Sequence, residues 1–224
     1  MADKYDIQAR YTPALLCSVP FMLLGFYFLN NIDSAFWSSA FGMSIGSLSL
    51  SAAMYVLASH SCQIVGKVLE ERIFNNGDDF PTTTFLLDSD TSLTPERKKM
   101  IYSKINKEFG VDLNHKTSDS PKNRRLIHEC VGQIRSKFFK KNEMVLQRNI
   151  QFGFAKNLAG GSLIAILACI VGLAVSQLIN NPKATSLSLV LLLIYVIVGV
   201  GAYFSIRFTA KHYANTLFDE FLRS

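Results

Sequence analysis

Closely spaced cationic side chains are the residues of this chain best equipped for chemistry. Arg124, Arg125, Arg135, Lys137, Lys140 and Lys141 lie on one segment, offset only by Glu129 and Glu143. Guanidinium and ammonium groups at this density hold phosphate, because charge-assisted hydrogen bonds are strong and Arg can donate two at once. Phe138, Phe139, Tyr102 and Phe85 are near enough in sequence to offer rings for base stacking. Two kinds of occupant suit such a face: anionic lipid headgroups, or a phosphate-bearing nucleotide or short single strand. The candidate ligand-binding residues are Arg124, Arg125, Arg135, Lys137 and Lys140.

Other reactive types are sparse. Asp88-Ser89-Asp90 has the spacing of a cation pair, but it sits among Ser and Thr ahead of a helix start, where turn chemistry is the expectation. His60, His115, His128 and His212 are scattered without spaced partners. No Ser/His/Asp order, Gly-rich phosphate loop or metal-ligand cluster occurs. No catalytic residue, metal or cofactor is expected, and the chain does not read as an enzyme. The four cysteines form no Cys-x-x-Cys pair, so free thiols in a reducing compartment are the default.

Hydroxyls and small residues concentrate in residues 35–60. At ~100° per residue they sort into two stripes. Ser38, Gly42, Gly46, Ser49 and Ala53 form one, while Ala40, Ser44, Ser47 and Ser51 lie nearly opposite. Close helix packing through Gly42 and Gly46 is one reading. In the other, Ser44, Ser47 and Ser51 line a pore, since hydroxyls hydrate a lumen without the cost of a buried charge.

The elements that must position these residues are four apolar runs at 13–30, 35–60, 159–179 and 184–206, none containing Asp, Glu, Lys or Arg. Each approaches or exceeds the ~18 to 20 residues needed to cross a bilayer core. The expected fold is an all-α membrane protein with four transmembrane helices as two hairpins and a cytosolic helical insert between helices 2 and 3. Of the 23 Lys and Arg, Lys183 alone falls in the last hairpin, and the other 22 share the opposite side. The positive-inside rule makes that side the cytoplasm, with both termini inside, in a bacterial inner membrane. The first run lacks a convincing small-x-small cleavage site and reads as a retained span. The expected domains are an N-terminal hairpin at 1–60, a cytosolic sensor or regulatory domain at 61–157, and a second hairpin with a cytosolic tail at 158–224.

Within the insert, the second span should continue as an amphipathic helix to Phe74, ended by Asn75-Asn76-Gly77. Residues 80–87 have β character and read as an edge or extended docking segment. Thr94-Pro95 opens a helix that Gly110 closes, with its Lys and Arg residues solvated. Ser120-Pro121 opens another, whose stripe Ile127, Val131, Ile134, Phe138 and Val145 predicts about thirty helical residues. Gly153 could mark a bend before the third span. That span repeats the small-residue device with Gly161, Ala165, Ala168, Gly172 and Ser176 on one face, Gly161 and Gly172 being the packing candidates.

The FPTTT run at 80–84, the capped helix at 94–110 and the NIQFGFAKN run at 149–157 resemble a family of small bacterial membrane proteins tied to phage defence, most like the channel effectors of Hailong systems. The likeness covers roughly residues 80–160. It implies an inner-membrane oligomeric channel controlled by single-stranded DNA made by a partner nucleotidyltransferase, and it carries no ligand residue over. The combined expectation is a homo-oligomeric, ligand-regulated pore. The alternative is a non-conducting membrane scaffold whose insert docks a partner protein.

Overall fold

Two prolines decide how the N-terminal helix is held. In the computed structural model, which describes residues 3–29, 40–113, 118–138 and 141–224 (side chains of 26–29 and 40–51 excepted), a π-helical turn Asp6–Tyr11 leads into α1, Thr12–Leu29. Pro13 and Pro20 have no N–H, so neither can donate to the carbonyl four residues earlier. For Pro20 that carbonyl is Leu16 O, and for Pro13 the α-helical position is Ala9 O, at the change from the π turn, whose last N–H (Thr12) reaches back five residues to Ile7 O. Asn157 Nδ2 donates to Ala9 O at 2.6 Å, and Tyr195 Oη donates to Leu16 O. Each of the two carbonyls is therefore met by a side chain from another helix. Asn157 and Tyr195 are almost wholly buried.

Those donors stand on the longest helices. The described elements continue with α2 (Ala40–Ile73), a 3-10 turn (Asn75–Gly77), α3 (Pro81–Thr84), α4 (Pro95–Phe109), α5 (Pro121–Phe138), α6 (Glu143–Leu178) and α7 (Pro182–Arg223). All regular structure among the described residues is helical, and α6 and α7 are long and apolar enough to cross a membrane. Asn180 turns the chain between them in the left-handed region (φ 49°), and Asn181 caps α7 by accepting from the Ala184 N–H at 3.2 Å.

The chain divides into two compact units, Met1–Val68 with Gly153–Phe204, and Leu69–Phe152 with Ser205–Ser224. Helices α2, α6 and α7 contribute residues to both. This differs from the sequence boundaries at 60/61 and 157/158. The segment expected as a cytosolic tail belongs with the insert, because Ile206, Ala210, Tyr213, Ala214, Leu217, Phe218 and Phe221 recur at helical spacing and are buried there.

The first unit packs Ala14, Cys17, Leu24, Cys62, Ala165, Cys169, Leu191 and Tyr195 together. Its helices approach closely through α6. A Cβ on Gly160 would strike the Gly66 backbone nitrogen of α2. One on Gly161 would lie 2.5 Å from both the Cys17 and Cys62 sulfurs, and one on Gly172 2.7 Å from Leu24 Cδ1. Gly153 introduces no break: α6 is continuous through it, and a Cβ there would meet Tyr5 Oη at 2.9 Å. Its small size serves contact rather than the anticipated bend. Gly42 and Gly46 lie outside the residues whose side chains are described.

In the second unit, Thr94 Oγ1 caps α4 by accepting from the Arg97 N–H, and Gly110 closes that helix with φ 69°. The anticipated solvation of the basic residues of α4 does not hold for Lys98. It is buried and donates to the Leu87 and Asp90 carbonyls at 2.5 Å each. Arg97 in turn pairs with Asp219 at 2.5 Å. Residues 80–87 are not extended. Pro81 starts a one-turn helix, and Phe85, Leu86 and Leu87 bury through successive turns. An isolated strand would leave its backbone groups unpaired, whereas a turn satisfies them locally. Nor does one helix run from 121 to 145. α5 ends at Phe138, and Asn142 caps a new helix by accepting from the Val145 N–H at 3.0 Å.

Tyr195→Phe should destabilise the fold by about 1 to 3 kcal/mol, the cost of an unsatisfied buried carbonyl. In a Pro20→Ala background the new N–H at position 20 reaches Leu16 O, and the same change should cost well under half as much. A double-mutant cycle by thermal unfolding in detergent measures the difference.

Candidate functional site

The second unit is organised around Phe80. Its backbone is extended (φ −67°, ψ 138°) so that Pro81 can start α3, and this turns its ring inward. The ring lies edge-on to Phe74 at 4.9 Å and to Phe152 at 5.3 Å, with Tyr213 at 6.5 Å. Phe74 directly follows α2, Phe152 lies on α6 and Tyr213 on α7. One side chain thus meets rings on α6, on α7 and just past the end of α2. Edge-to-face pairs of this kind contribute about 0.5 to 1.5 kcal/mol each beyond area burial.

Two of the predicted ligand residues hold that segment from α5. Arg124 Nη1 donates to Asp78 O at 2.8 Å and to Asp79 Oδ1 at 2.6 Å. Its Nε and Nη2 donate to the two carboxylate oxygens of Asp119 at 2.6 and 2.9 Å. Eleven positions on, and so almost on the same helix face, the Arg135 guanidinium lies 6.0 Å from the Phe80 ring centre and 5.7 Å from that of Tyr213. Arg124 is accordingly not a solvated side chain, since only 19% of it is exposed. The hydrogen bond from Arg124 holds the Asp119 carboxyl below the ordinary carboxylate value, and Asp119 raises Arg124 in return.

The remaining candidates separate. Arg125 is exposed. Lys137 faces elsewhere, donating to both carboxylate oxygens of Glu108 at 3.0 and 2.9 Å. Lys140, and the side chains of Ser44, Ser47 and Ser51, lie outside the description. Asp90 does act as a turn residue, its Oδ1 accepting from the Ser92 N–H at 2.7 Å. Sequence reasoning missed Phe80 and Asp79. The only available signal was the Asp-Asp-Phe-Pro order, in which two acids and a ring precede a helix-starting proline. It also missed a groove of about 570 Å³ beside α4, lined by Lys99, Ser103, Lys104, Lys107, Glu108 and Ser224 among others.

Because the folded-state value of Asp119 is depressed, its contribution to stability is present above the ordinary value of 3.8 and is lost as pH falls below it. Protection of the amides of 77–80 against hydrogen exchange, relative to their intrinsic rates, should fall selectively below about pH 4. Asp119→Asn should produce the same loss of protection at neutral pH, whereas Arg125→Gln should not.

No protein-family model matches the chain, and no curated protein or solved structure is significantly similar to it.

Proposed function

We propose that this protein is a multi-pass inner-membrane channel, homo-oligomeric and gated by a phosphate-bearing ligand, nucleotide or single-stranded DNA, at the basic face of α5. The carrying observation is that Arg124 and Arg135 grip residues 78–80, while Phe80 packs on α2, α6 and α7. A phosphate would compete with Asp79 and Asp119 for Arg124, because all three offer anionic oxygens to the same donors. Arg125, exposed on the neighbouring face, would recruit it. Release of Asp79 frees the backbone next to Phe80, and the aromatic contacts pass the change to helices that continue into the apolar unit. In this reading Ser44, Ser47 and Ser51 supply the hydroxyl lining of the pore, and 13–30 and 35–60 complete four spans. A role in phage defence, with a partner nucleotidyltransferase making the ligand, follows from the family resemblance.

Reconstituted in a planar bilayer, the protein should conduct, and a short single-stranded oligonucleotide should change that conductance. Ser47→Leu should reduce it without preventing assembly. Absence of conductance with and without oligonucleotide would favour the scaffold alternative. Oligonucleotide affinity should fall with salt at a slope of about −0.7 per neutralised phosphate. Arg125→Glu with Arg135→Glu should flatten that slope and abolish the response. If Lys99→Glu with Lys107→Glu does so instead, the ligand is read in the groove beside α4.

Topology has its own measurement. Cysteines introduced at Asp33 and Ser120 in a thiol-free background should be labelled from opposite membrane faces, and labelling of both from one face would overturn the four-span arrangement.

A further inference from the structure

The membrane end of α7 carries a feature that gating does not use. From Ala184 to Ile206 the helix has no charged residue, and these 23 positions rise about 34 Å, the thickness of a bilayer core. Arg207 is the first charge, followed by Phe208, Lys211 and His212. Here the helix has two opposed faces. Ile206, Ala210, Tyr213 and Ala214 are buried in the second unit. The other face exposes Arg207, Lys211 and Phe208, a residue 64% exposed whose ring meets that of His212 edge-on at 4.3 Å. Among the described residues, neither Arg207 nor Lys211 has a carboxylate partner, unlike Arg97 or Arg124. Two unneutralised cations flank an aromatic ring left open to the surroundings.

We propose that this face is a docking surface for anionic phospholipid headgroups, with Arg207 and Lys211 holding the phosphate and Phe208 seated at the acyl boundary. The inference rests on the reading that α7 crosses a bilayer, and on charge and continuity. The outward stripe above it, with Leu193, Ile197, Val200 and Phe204, is apolar and 52 to 72% exposed at each position. Phe208 continues that stripe just where the first charges begin. Aromatic and basic residues at this level are the usual anchors of a spanning helix. Each basic residue near an anionic surface strengthens binding about fivefold.

The experiment uses the full chain in neutral detergent, with thermal stability followed as phosphatidylglycerol, phosphatidylcholine or inorganic phosphate is added. Phosphatidylglycerol should stabilise the wild type, and the other two should have little effect. Arg207→Gln with Lys211→Gln should weaken the apparent phosphatidylglycerol affinity about fivefold per residue and leave the phosphatidylcholine baseline unchanged, which reports an intact fold. Lys122→Gln with Arg125→Gln, exposed on α5, should keep the preference. The proposal is overturned if the α7 variant retains it, if the α5 variant loses it instead, if inorganic phosphate stabilises equally, or if the α7 variant changes only the oligomer size. Carbonate extraction of membranes tests the underlying reading separately. Release of the wild type into the supernatant removes the span itself, while retention combined with any of those outcomes removes only the headgroup site.

Discussion

An apolar helix with two prolines has a problem that its own sequence cannot solve. Pro20 leaves the carbonyl of Leu16 without its intrahelical donor, and the carbonyl of Ala9 lies just ahead of Pro13, where the π-helical turn gives way to α1. Asn157 and Tyr195 donate to these two carbonyls. Because one donor sits on α6 and the other on α7, satisfying both fixes α1 against two helices at once. The close approach of α6 to its neighbours follows the same logic. Gly160 and Gly161 bring it near enough for the short Asn157 side chain, one turn away, to reach across. The packing of the first unit is thus set by hydrogen-bond satisfaction as much as by apolar fit.

The second unit depends on a different device. Its basic helix α5 does not present a bare cationic face. Arg124 is bound by two carboxylates and a carbonyl, and Arg135 lies against two rings. Cations held in this way are poised rather than idle, because an incoming phosphate can replace a carboxylate without stranding a charge. Competition of this kind would connect ligand binding to the position of Phe80. In the proposed channel it would provide a gate whose resting state is held by the same residues that meet the ligand.

Much of the local structure was legible in the sequence. Thr94-Pro95 and Ser120-Pro121 mark helix starts, Gly110 and Asn75-Asn76-Gly77 mark stops, and the apolar face of 64–73 extends α2 past the apolar run. These features are local, so propensity and capping suffice to read them. The extended reading of 80–87 failed because β-branched threonines favour strands only where a partner strand exists. The thirty-residue helix failed because Val145 kept the period of the preceding stripe by coincidence of spacing, while Asn142 was a cap.

The sequence by itself determined where the apolar runs and the charges lie, and where most helices begin and end, because those depend on neighbours within a few residues. Which side chains would be free was decided only by tertiary structure. Lys98, Arg124 and Lys137 look alike in sequence to Lys99, Arg125 and Lys141, yet the first three are engaged and the others exposed. Each of them meets at least one carbonyl or carboxylate from far along the chain, Leu87 for Lys98, Asp79 for Arg124 and Glu108 for Lys137, 11, 45 and 29 positions away. Likewise, residues 207–224 read as a tail until folding placed their apolar face in the core of the second unit. Contacts at that separation are chosen by the global packing of the helices, which periodicity along the chain does not encode.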